Sequence, residues 1–154
     1  MIHFVLLISR HGKIRLSKWF TTYSQKEREA IMKEVKPMVI GRNSKLCNFL
    51  EFQEYTLVAK RYASLYFAFC IDKDDNELLT LDIMHFYVEL LDKYFKNVCE
   101  LDIIFNFHKA YYILDEMIAG GYIIETSKKQ ISKYVANQDE IMEESKEETT
   151  AKKK

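Results

Sequence analysis

The first nine residues constrain the fold of this chain more than any other segment. They read MIHFVLLIS, and apolar side chains follow one another from Ile2 to Ile8 with His3 as the single interruption. A strand with one face in water alternates apolar and polar residues, whereas a strand buried on both faces carries a nearly continuous apolar run. The segment Met1–Ser9 therefore predicts a central strand.

A hairpin and a helix follow this first strand. Residues 10–13, Arg-His-Gly-Lys, have the composition of a turn, and the alternation over residues 14–20 predicts a second strand paired with the first. Ser24 and Glu27 have the spacing of a capping box, in which two side chains satisfy free amides at a helix start. Gly41 can end this helix in the left-handed region, and Pro37 should loosen its last turn. The apolar residues of this predicted helix are three or four positions apart, or adjacent, as on one helical face: Ile31, Val35, Met38 and Val39.

Three more strands are predicted over residues 47–53, 55–61 and 63–72, and the short gaps between them indicate tight antiparallel pairing. Together with the hairpin they make five strands, with one helix inserted after the second. Helices are then predicted over Leu101–Ile118, which stops at Gly120-Gly121, and over Lys128–Ala136. An acidic-apolar helix precedes them, with apolar residues three and four apart at Leu81, Met84, Val88, Leu91 and Phe95. The predicted fold class is α/β, of the α+β kind.

The composition indicates one globular domain with a charged end. A chain of 154 residues that is 48% hydrophobic can bury one core. Residues 138–154 are polar, with blocks of like charge, which predicts a disordered tail after a domain of residues 1–137. Lys plus Arg and Asp plus Glu both total 23, so we do not expect the basic surface that nucleic-acid binding requires.

Membrane and redox signals are weak. The chain lacks the run of ~20 apolar residues that a transmembrane helix requires. A signal peptide has a basic segment before its apolar run, and MIHFVLLIS lacks one. Cys47, Cys70 and Cys99 have no C-x-x-C spacing, which favours reduced thiols packed as small apolar side chains. These features predict a cytosolic protein with at most a peripheral contact with membranes.

Motifs for catalysis or metal binding are not found in the sequence. Asp72-x-Asp74-x-Asn76 imitates the start of a calcium loop, but Glu77 and Ile83 stand where that loop needs Gly and a bidentate Glu. No Gly-x-Ser-x-Gly elbow and no phosphate-binding glycine-rich loop occurs. The four histidines form no H-x-x-x-H or H-E-x-x-H pair: they are His3, His11, His85 and His108. We therefore expect neither an enzyme nor a cofactor.

Binding residues are harder to separate from ordinary surface and core residues. Arg15 in the first hairpin could present a fork-shaped cation to a carboxylate or phosphate. The neighbouring charges Arg10, Lys13 and Lys18 are equally typical of a solvated hairpin face, which is the more ordinary interpretation. Periodicity alone likewise favours core positions for Ala63, Leu65, Val88 and Val98.

Several long segments, in this order, resemble the small (sigma) subunits of clathrin adaptor complexes. They are MIHFVLLISRHGKIRLSKWF at the start, FLEF at 49–52, KRYASLYF at 60–67, DNELLTLDIMHFYVELLDKYF at 75–95 and NVCELDIIFNFHKAYYILDEMIAGG at 97–121. The resemblance covers residues 1–136. Within the family, ELLTL, YVELLDKYF and RYASLYF are more similar to the trans-Golgi and endosomal (AP-1) type than to the plasma-membrane type.

The resemblance implies a longin-like fold, which is a five-stranded antiparallel sheet flanked by helices, with additional C-terminal helices. It implies a non-enzymatic subunit that packs against a gamma-type large subunit in a heterotetramer with a beta-type large subunit and a medium (mu) subunit. Clathrin and an Arf-type GTPase would be indirect partners. The complex would act in the cytoplasm, peripheral on membranes of the trans-Golgi network, endosomes and clathrin-coated vesicles.

The resemblance also implies a site for acidic dileucine sorting signals, (D/E)xxxL(L/I), in cargo tails. Arg15 would face the acidic residue upstream of the leucines. Ile103 stands where relatives can carry Leu, a volume-conserving change that a pocket tolerates. The pocket for the two leucines would consist of Ala63, Leu65, Val88, Asn97, Val98, Leu101 and Ile103.

Other classes of protein remain open at this point. A subunit of a tethering complex would share a longin-type fold and differs only in its motifs. A SNARE would need a heptad segment and a membrane anchor after the domain, and the sequence after Ala136 has neither. A small hydrolase would need a catalytic pair that no spacing in the sequence indicates.

Overall fold

Five strands form one antiparallel sheet in the structure, a computed structural model that describes residues 1–43 and 45–151. The strands are β1 (Ile2–Ser9), β2 (Ile14–Trp19), β3 (Phe49–Phe52), β4 (Tyr55–Tyr62) and β5 (Leu65–Asp72). Their order across the sheet is β2-β1-β5-β4-β3, and every neighbouring pair is antiparallel. The predicted sheet is confirmed, although the third strand begins at Phe49 rather than at residue 47.

Strand β1 lies inside the sheet between β2 and β5, and all eight of its residues are buried. Val5 and Leu7 face one side of the sheet, whereas Phe4, Leu6 and Ile8 face the other. The pairing with β5 shifts between Ile2 and Phe4, and this irregularity turns Ile2 to the side of Val5. The predicted central strand is confirmed, and both faces of the sheet need a cover.

Helices cover both faces. Helix α1 (Gln25–Val39) packs its buried residues Ile31, Val35 and Val39 against the face that carries Phe4. The other face is covered by α2 (Glu77–Phe95), α3 (Glu100–Phe105), α4 (Phe107–Met117) and α5 (Lys128–Ala151). The short strands β6 (Ile118–Ala119) and β7 (Tyr122–Ile123) form a separate hairpin between α4 and α5. Within residues 1–43 and 45–151, every helix is too short or too polar to cross a bilayer.

The start and end of α1 follow the sequence prediction. The Glu27 N–H donates to Ser24 Oγ over 3.3 Å and the Ser24 N–H donates to Glu27 Oε2 over 2.7 Å, so the capping box is formed. Its hydrogen bonds to Ser24 lower the pKa of the Glu27 carboxyl. The helix ends at Val39, Gly41 follows in the left-handed region with φ +77°, and Pro37 lies inside the last turn.

The prediction of one helix over Leu101–Ile118 is wrong, because the structure has two. Asn106 lies between α3 and α4 with φ −129° and ψ 37°, outside the helical region. Its N–H donates to the Asp102 carbonyl over 2.9 Å, and its own carbonyl accepts the Lys109 N–H over 3.0 Å. Asn106 is therefore both the last cap of α3 and the first cap of α4, through its backbone groups and without a capping hydrogen bond from its side chain.

Helix α5 continues past the predicted end at Ala136, and residues 138–151, expected to be disordered, are helical. The Lys109 side chain is buried (7% exposed), and its ammonium pairs with the Asp139 carboxylate of α5. The Tyr94 hydroxyl donates to the same carboxylate over 3.0 Å. A buried ammonium needs a counter-ion, so Asp139 fastens α5 to α2 and α4 beyond Ala136. The predicted division of the chain at residue 137 stays a prediction, and its last residues, 152–154, lie outside the described residues.

The three cysteines are free, as the sequence predicts, but they differ in burial. Burial raises the pKa of the Cys70 thiol to about 12, so this side chain packs as a neutral group in the core. Cys47 and Cys99 are exposed, outside the strands and helices, and for them the prediction of packed thiols is wrong.

Substituting Asp139→Asn should destabilise the chain, because the buried Lys109 ammonium loses its counter-ion. We expect a loss of about 1–3 kcal/mol, less than for a fully buried pair because Asp139 is partly exposed. Urea denaturation followed by circular dichroism measures the change. Glu140→Gln, at the exposed neighbouring position, is the matched control and should be neutral. Equal stability of the two variants would show that Asp139 does not fasten α5.

The turn between β6 and β7 holds the start of β1 through Gly121. The Ile2 N–H donates to the Gly121 carbonyl over 2.8 Å. A Cβ on Gly121, whose φ is +85°, would lie 2.3 Å from the Ile2 carbonyl oxygen, which is a backbone atom and cannot turn away. Gly120 also has a positive φ, +56°, but a Cβ there would meet nothing within 4 Å. A comparison of alanine substitutions at the two glycines therefore separates the cost of backbone strain from the cost of a steric clash.

Substituting Gly121→Ala should cost about 3 kcal/mol or more of unfolding free energy, whereas Gly120→Ala should cost about 1 kcal/mol. Both variants carry the strain of a positive φ, and only the first adds a clash with β1. Urea denaturation of the two variants side by side measures the difference. Equal losses would mean that the hairpin does not dock against β1 as closely as the structure has it.

Candidate functional site

Four of the residues that the family resemblance assigns to a pocket belong to one hydrophobic cluster in the structure. Leu65 at the start of β5, Val88 on α2 and Ile103 on α3 are buried members of one hydrophobic cluster. Val98, in the loop between α2 and α3, is partly buried and packs against the same cluster. Residues that are far apart in sequence, on β5, α2, α3 and the loop before α3, thus belong to one cluster, and we call these four residues the apolar wall.

The other three residues lie exposed at the rim of this wall. Leu101 on α3 is 59% exposed, and Asn97 and Ala63 are also exposed. Ala63 belongs to the turn between β4 and β5 and has φ +52°, so the predicted strand over residues 63–72 in fact begins at Leu65. Pairing of Tyr62 with Leu65 leaves two residues for this turn, which is why the alternating pattern could not place Ala63.

The loop between α2 and α3 is held by two aspartates that the sequence analysis did not single out. Lys96 and Asn97 both have positive φ, 55° and 74°. Asp92 accepts the Val98 N–H on its carboxylate over 2.9 Å, and Asp102 accepts the Cys99 N–H over 2.9 Å. The Asp three residues after Cys99 has the spacing of a capping box and could have been found in the sequence. Two such bonds fix the position of Asn97 and Val98 at the rim.

Arg15 lies beside this loop and is already paired. Its Nε donates to Glu100 Oε1 over 2.7 Å, and the two side chains are 24% and 23% exposed. Glu100 is the residue before Leu101, so the ion pair borders the exposed end of the apolar wall. The prediction of a solvated hairpin face is wrong for Arg15, whereas Arg10 and Lys13 are exposed.

Helix α4 brings the loop and β2 together by covering the edge of the sheet. The Ser17 N–H donates to the Tyr111 hydroxyl oxygen over 2.9 Å, and the Tyr111 hydroxyl donates to the Ser17 carbonyl over 2.9 Å. Lys18 pairs with Asp115 of α4 over 2.7 Å. The free backbone groups of an edge strand are therefore used to anchor α4, and α3 lies next to Arg15 as a result.

The apolar wall is closed in this conformation. Ile103, Leu65 and Val88 are 0%, 2% and 6% exposed. Five clefts of the described surface are lined by other residues, and Arg15 lines one of them together with Lys13, Lys33 and Lys36.

Tyr62 adds a polar group beside the wall that sequence reasoning missed. Its ring stacks on His85 of α2, with 6.1 Å between ring centroids. Its hydroxyl is buried and has no hydrogen-bond partner among the described residues. Burial raises the pKa of Tyr62, so the group stays a neutral donor at physiological pH.

One arrangement of side chains in residues 1–43 and 45–151 resembles a catalytic relay. His3 Nδ1 lies 2.7 Å from Thr21 Oγ1, and His3 Nε2 lies 2.6 Å from Asp72 Oδ1. Asp72 also accepts the amino group of Met1 over 3.0 Å, and the hydrogen bonds from His3 and Met1 lower the pKa of its carboxyl. None of the five clefts is lined by Thr21. The group ties the ends of β1 and β5 to the segment after β2. No cluster of three His, Cys, Asp or Glu able to hold a metal occurs in the same residues.

Comparisons with known proteins agree with this fold. The family model for the clathrin adaptor complex small chain matches residues 1–142. AP-1 complex subunit sigma-2 of Arabidopsis thaliana is 56% identical over 151 residues, covering 98% of this chain and 93% of that protein. AP-1 complex subunit sigma-3 of Mus musculus is 58% identical over 143 residues, covering 93% of each. A structure titled as a homology model of the full-length AP-3 complex contains a chain with TM-score 0.73 and 30% identity, and the match covers 96% of this chain and 99% of that one.

A five-stranded sheet with helices on both faces, matched over nearly its whole length by adaptor small chains, defines a trafficking subunit with a longin-like fold. The chain belongs to the clathrin adaptor complex small chain family. It is the small subunit of an AP adaptor complex, and its resemblance to the AP-1 type is confirmed by the sigma subunits that match it.

Proposed function

We propose that this chain binds acidic dileucine sorting signals, (D/E)xxxL(L/I), in cargo tails. The observation that carries the proposal is the contact of Arg15 of β2 with Glu100, the first residue of α3, directly after the loop that carries Asn97 and Val98. The Arg15–Glu100 ion pair spans 2.7 Å and lies beside the exposed Leu101. A cation next to an apolar wall matches a signal in which an acid precedes two leucines.

The energetics suit a weak and reversible reader of membrane cargo. Burial of two leucine side chains contributes about 3–6 kcal/mol, and a charge-assisted hydrogen bond contributes about 1.5–3 kcal/mol. Ordering of the peptide and opening of the closed wall remove several kcal/mol. Affinity near micromolar or weaker follows, equivalent to about −8 kcal/mol at best. Simultaneous contacts of one complex with lipids and with several tails would supply avidity.

The same proposal assigns the partners of the subunit. Large apolar side chains are exposed at two places among the helices α2 to α4. One place is Leu78 and Leu79 at the start of α2, and the other is Phe105 and Phe107 on either side of Asn106. Phe105 is 74% exposed, which is unfavourable for an isolated chain and typical of a surface that a partner covers. We assign these surfaces to a gamma-type large subunit, in a core completed by beta-type and mu subunits.

The location follows from the complex. The chain would act in the cytoplasm, held peripherally on trans-Golgi network, endosome and clathrin-coated vesicle membranes, with clathrin and an Arf-type GTPase as indirect partners. Its role would be structural and binding, without an enzymatic activity or a cofactor. Neutral overall charge, with 23 basic and 23 acidic residues, supports protein partners over nucleic acid.

Substituting Leu101→Ser tests the signal site. The variant should lose about tenfold in affinity for an acidic dileucine peptide, because Leu101 no longer covers a guest leucine. Leu101 is a sharper choice than Val88, whose 6% exposure means that a polar replacement would damage the core. The measurement is peptide binding by fluorescence anisotropy, made on the assembled adaptor complex containing the variant chain.

Leu46→Ser is the matched control, because Leu46 is exposed to a similar extent, 56%, and lies outside the proposed site. It should bind the peptide as the unchanged complex does. Unchanged affinity in the Leu101→Ser complex, with the complex intact by size-exclusion chromatography, would remove Leu101 from the site.

A further inference from the structure

The ion pair between Arg15 and Glu100 has a consequence for how the signal's acid is read. Arg15 is the residue proposed to bind that acid, yet in this chain its Nε already donates to Glu100 over 2.7 Å. Glu100 has the same carboxylate chemistry as the acidic residue of a signal. The chain therefore presents its own acid at the place where an acid from the cargo would bind.

The surroundings of the pair make Glu100 the counter-ion of Arg15. The next cation along β2, Lys18, has its own acid, Asp115, at 2.7 Å. Asp92 and Asp102, the other carboxylates of the loop, are used to hold backbone N–H groups of Val98 and Cys99. Both members of the Arg15–Glu100 pair are about three-quarters covered, which makes their attraction stronger than that of a fully solvated pair.

We propose that Glu100 is an internal competitor for the acidic residue of the signal and thereby sets how strongly the site prefers signals that carry one. A cargo acid must either displace the Glu100 carboxylate or share the guanidinium with it against like-charge repulsion. A signal without the acid leaves the Arg15–Glu100 pair intact, so no partly buried guanidinium loses its partner. Glu100 thus reduces the affinity that a signal gains from its acid, and it prevents the loss of affinity that a signal without the acid would otherwise have. This inference rests on the proposed signal-binding function.

The variant Glu100→Gln isolates the charge of Glu100. The glutamine carbonyl can still accept from Arg15 Nε, but the guanidinium charge becomes available to the cargo. We expect affinity for an acidic dileucine peptide to rise about three- to tenfold, and affinity for the same peptide with Ala in place of the acid to change less than about twofold. The gain should shrink as ionic strength rises, because the attraction it measures is screened by salt.

The experiment measures both peptides on the assembled adaptor complex containing the variant chain. Glu140→Gln is the matched control, since it removes one exposed carboxylate of α5, outside the site, and should leave both affinities unchanged. In the double variant Arg15→Ser with Glu100→Gln, the gain for the acidic peptide should disappear.

Other results would overturn the inference. Weaker binding of the acidic peptide by Glu100→Gln would show that Glu100 orients Arg15 for the cargo instead of competing with it. An equal gain for both peptides, or an equal gain in Glu140→Gln, would reduce the effect to overall charge. Failure of the proposed function gives a different result. The unchanged complex would then bind the acidic dileucine peptide no more tightly than a peptide whose two leucines are replaced by Ala.

Discussion

Burial of strand β1 on both faces is the constraint on which the rest of the structure depends. All eight of its residues are buried, and its partner β5 is buried from Leu65 to Ile71. A sheet with such strands inside it must be covered on two sides, so the chain needs α1 on one face and the later helices on the other. The helices on the second face then meet the edge strand β2, where Tyr111 exchanges two hydrogen bonds with the backbone of Ser17. This contact places Arg15 beside the loop before α3, and the candidate site follows from it.

The parts of the fold that local patterns control could be predicted from the sequence. The continuous apolar run of β1, the capping box of Ser24 and Glu27 and the glycine after α1 each depend on residues a few positions apart. Features that depend on distant partners could not be predicted. Asp139 extends α5 because a buried lysine 30 positions earlier needs a counter-ion, as the pairing with Lys109 shows. The partner of Arg15, Glu100, lies 85 residues away, and no periodicity connects them.

The candidate site shows the same division. Residue patterns favoured a core role for Ala63, Leu65, Val88 and Val98; the structure buries Leu65 and Val88, partly buries Val98 and exposes Ala63. The resemblance could not reveal that Leu65, Val88 and Ile103 are almost fully buried in this conformation, or that Arg15 is already paired with Glu100. A binding site that must open and exchange an ion pair loses free energy at both steps. Such a site favours weak, rapidly reversible binding, which avidity on a membrane can strengthen.

Hydrogen exchange on the assembled adaptor complex, with and without a saturating acidic dileucine peptide, tests most directly whether the wall beside Arg15 receives the signal. Slower exchange is predicted for backbone amides of residues 97–103 and of the turn at residues 62–65, because a bound peptide would cover both sides of the wall. Residues 128–136 of α5, on the same helical layer but outside the site, should exchange at an unchanged rate. Peptide binding that leaves exchange over residues 97–103 unchanged would contradict the proposed location of the site.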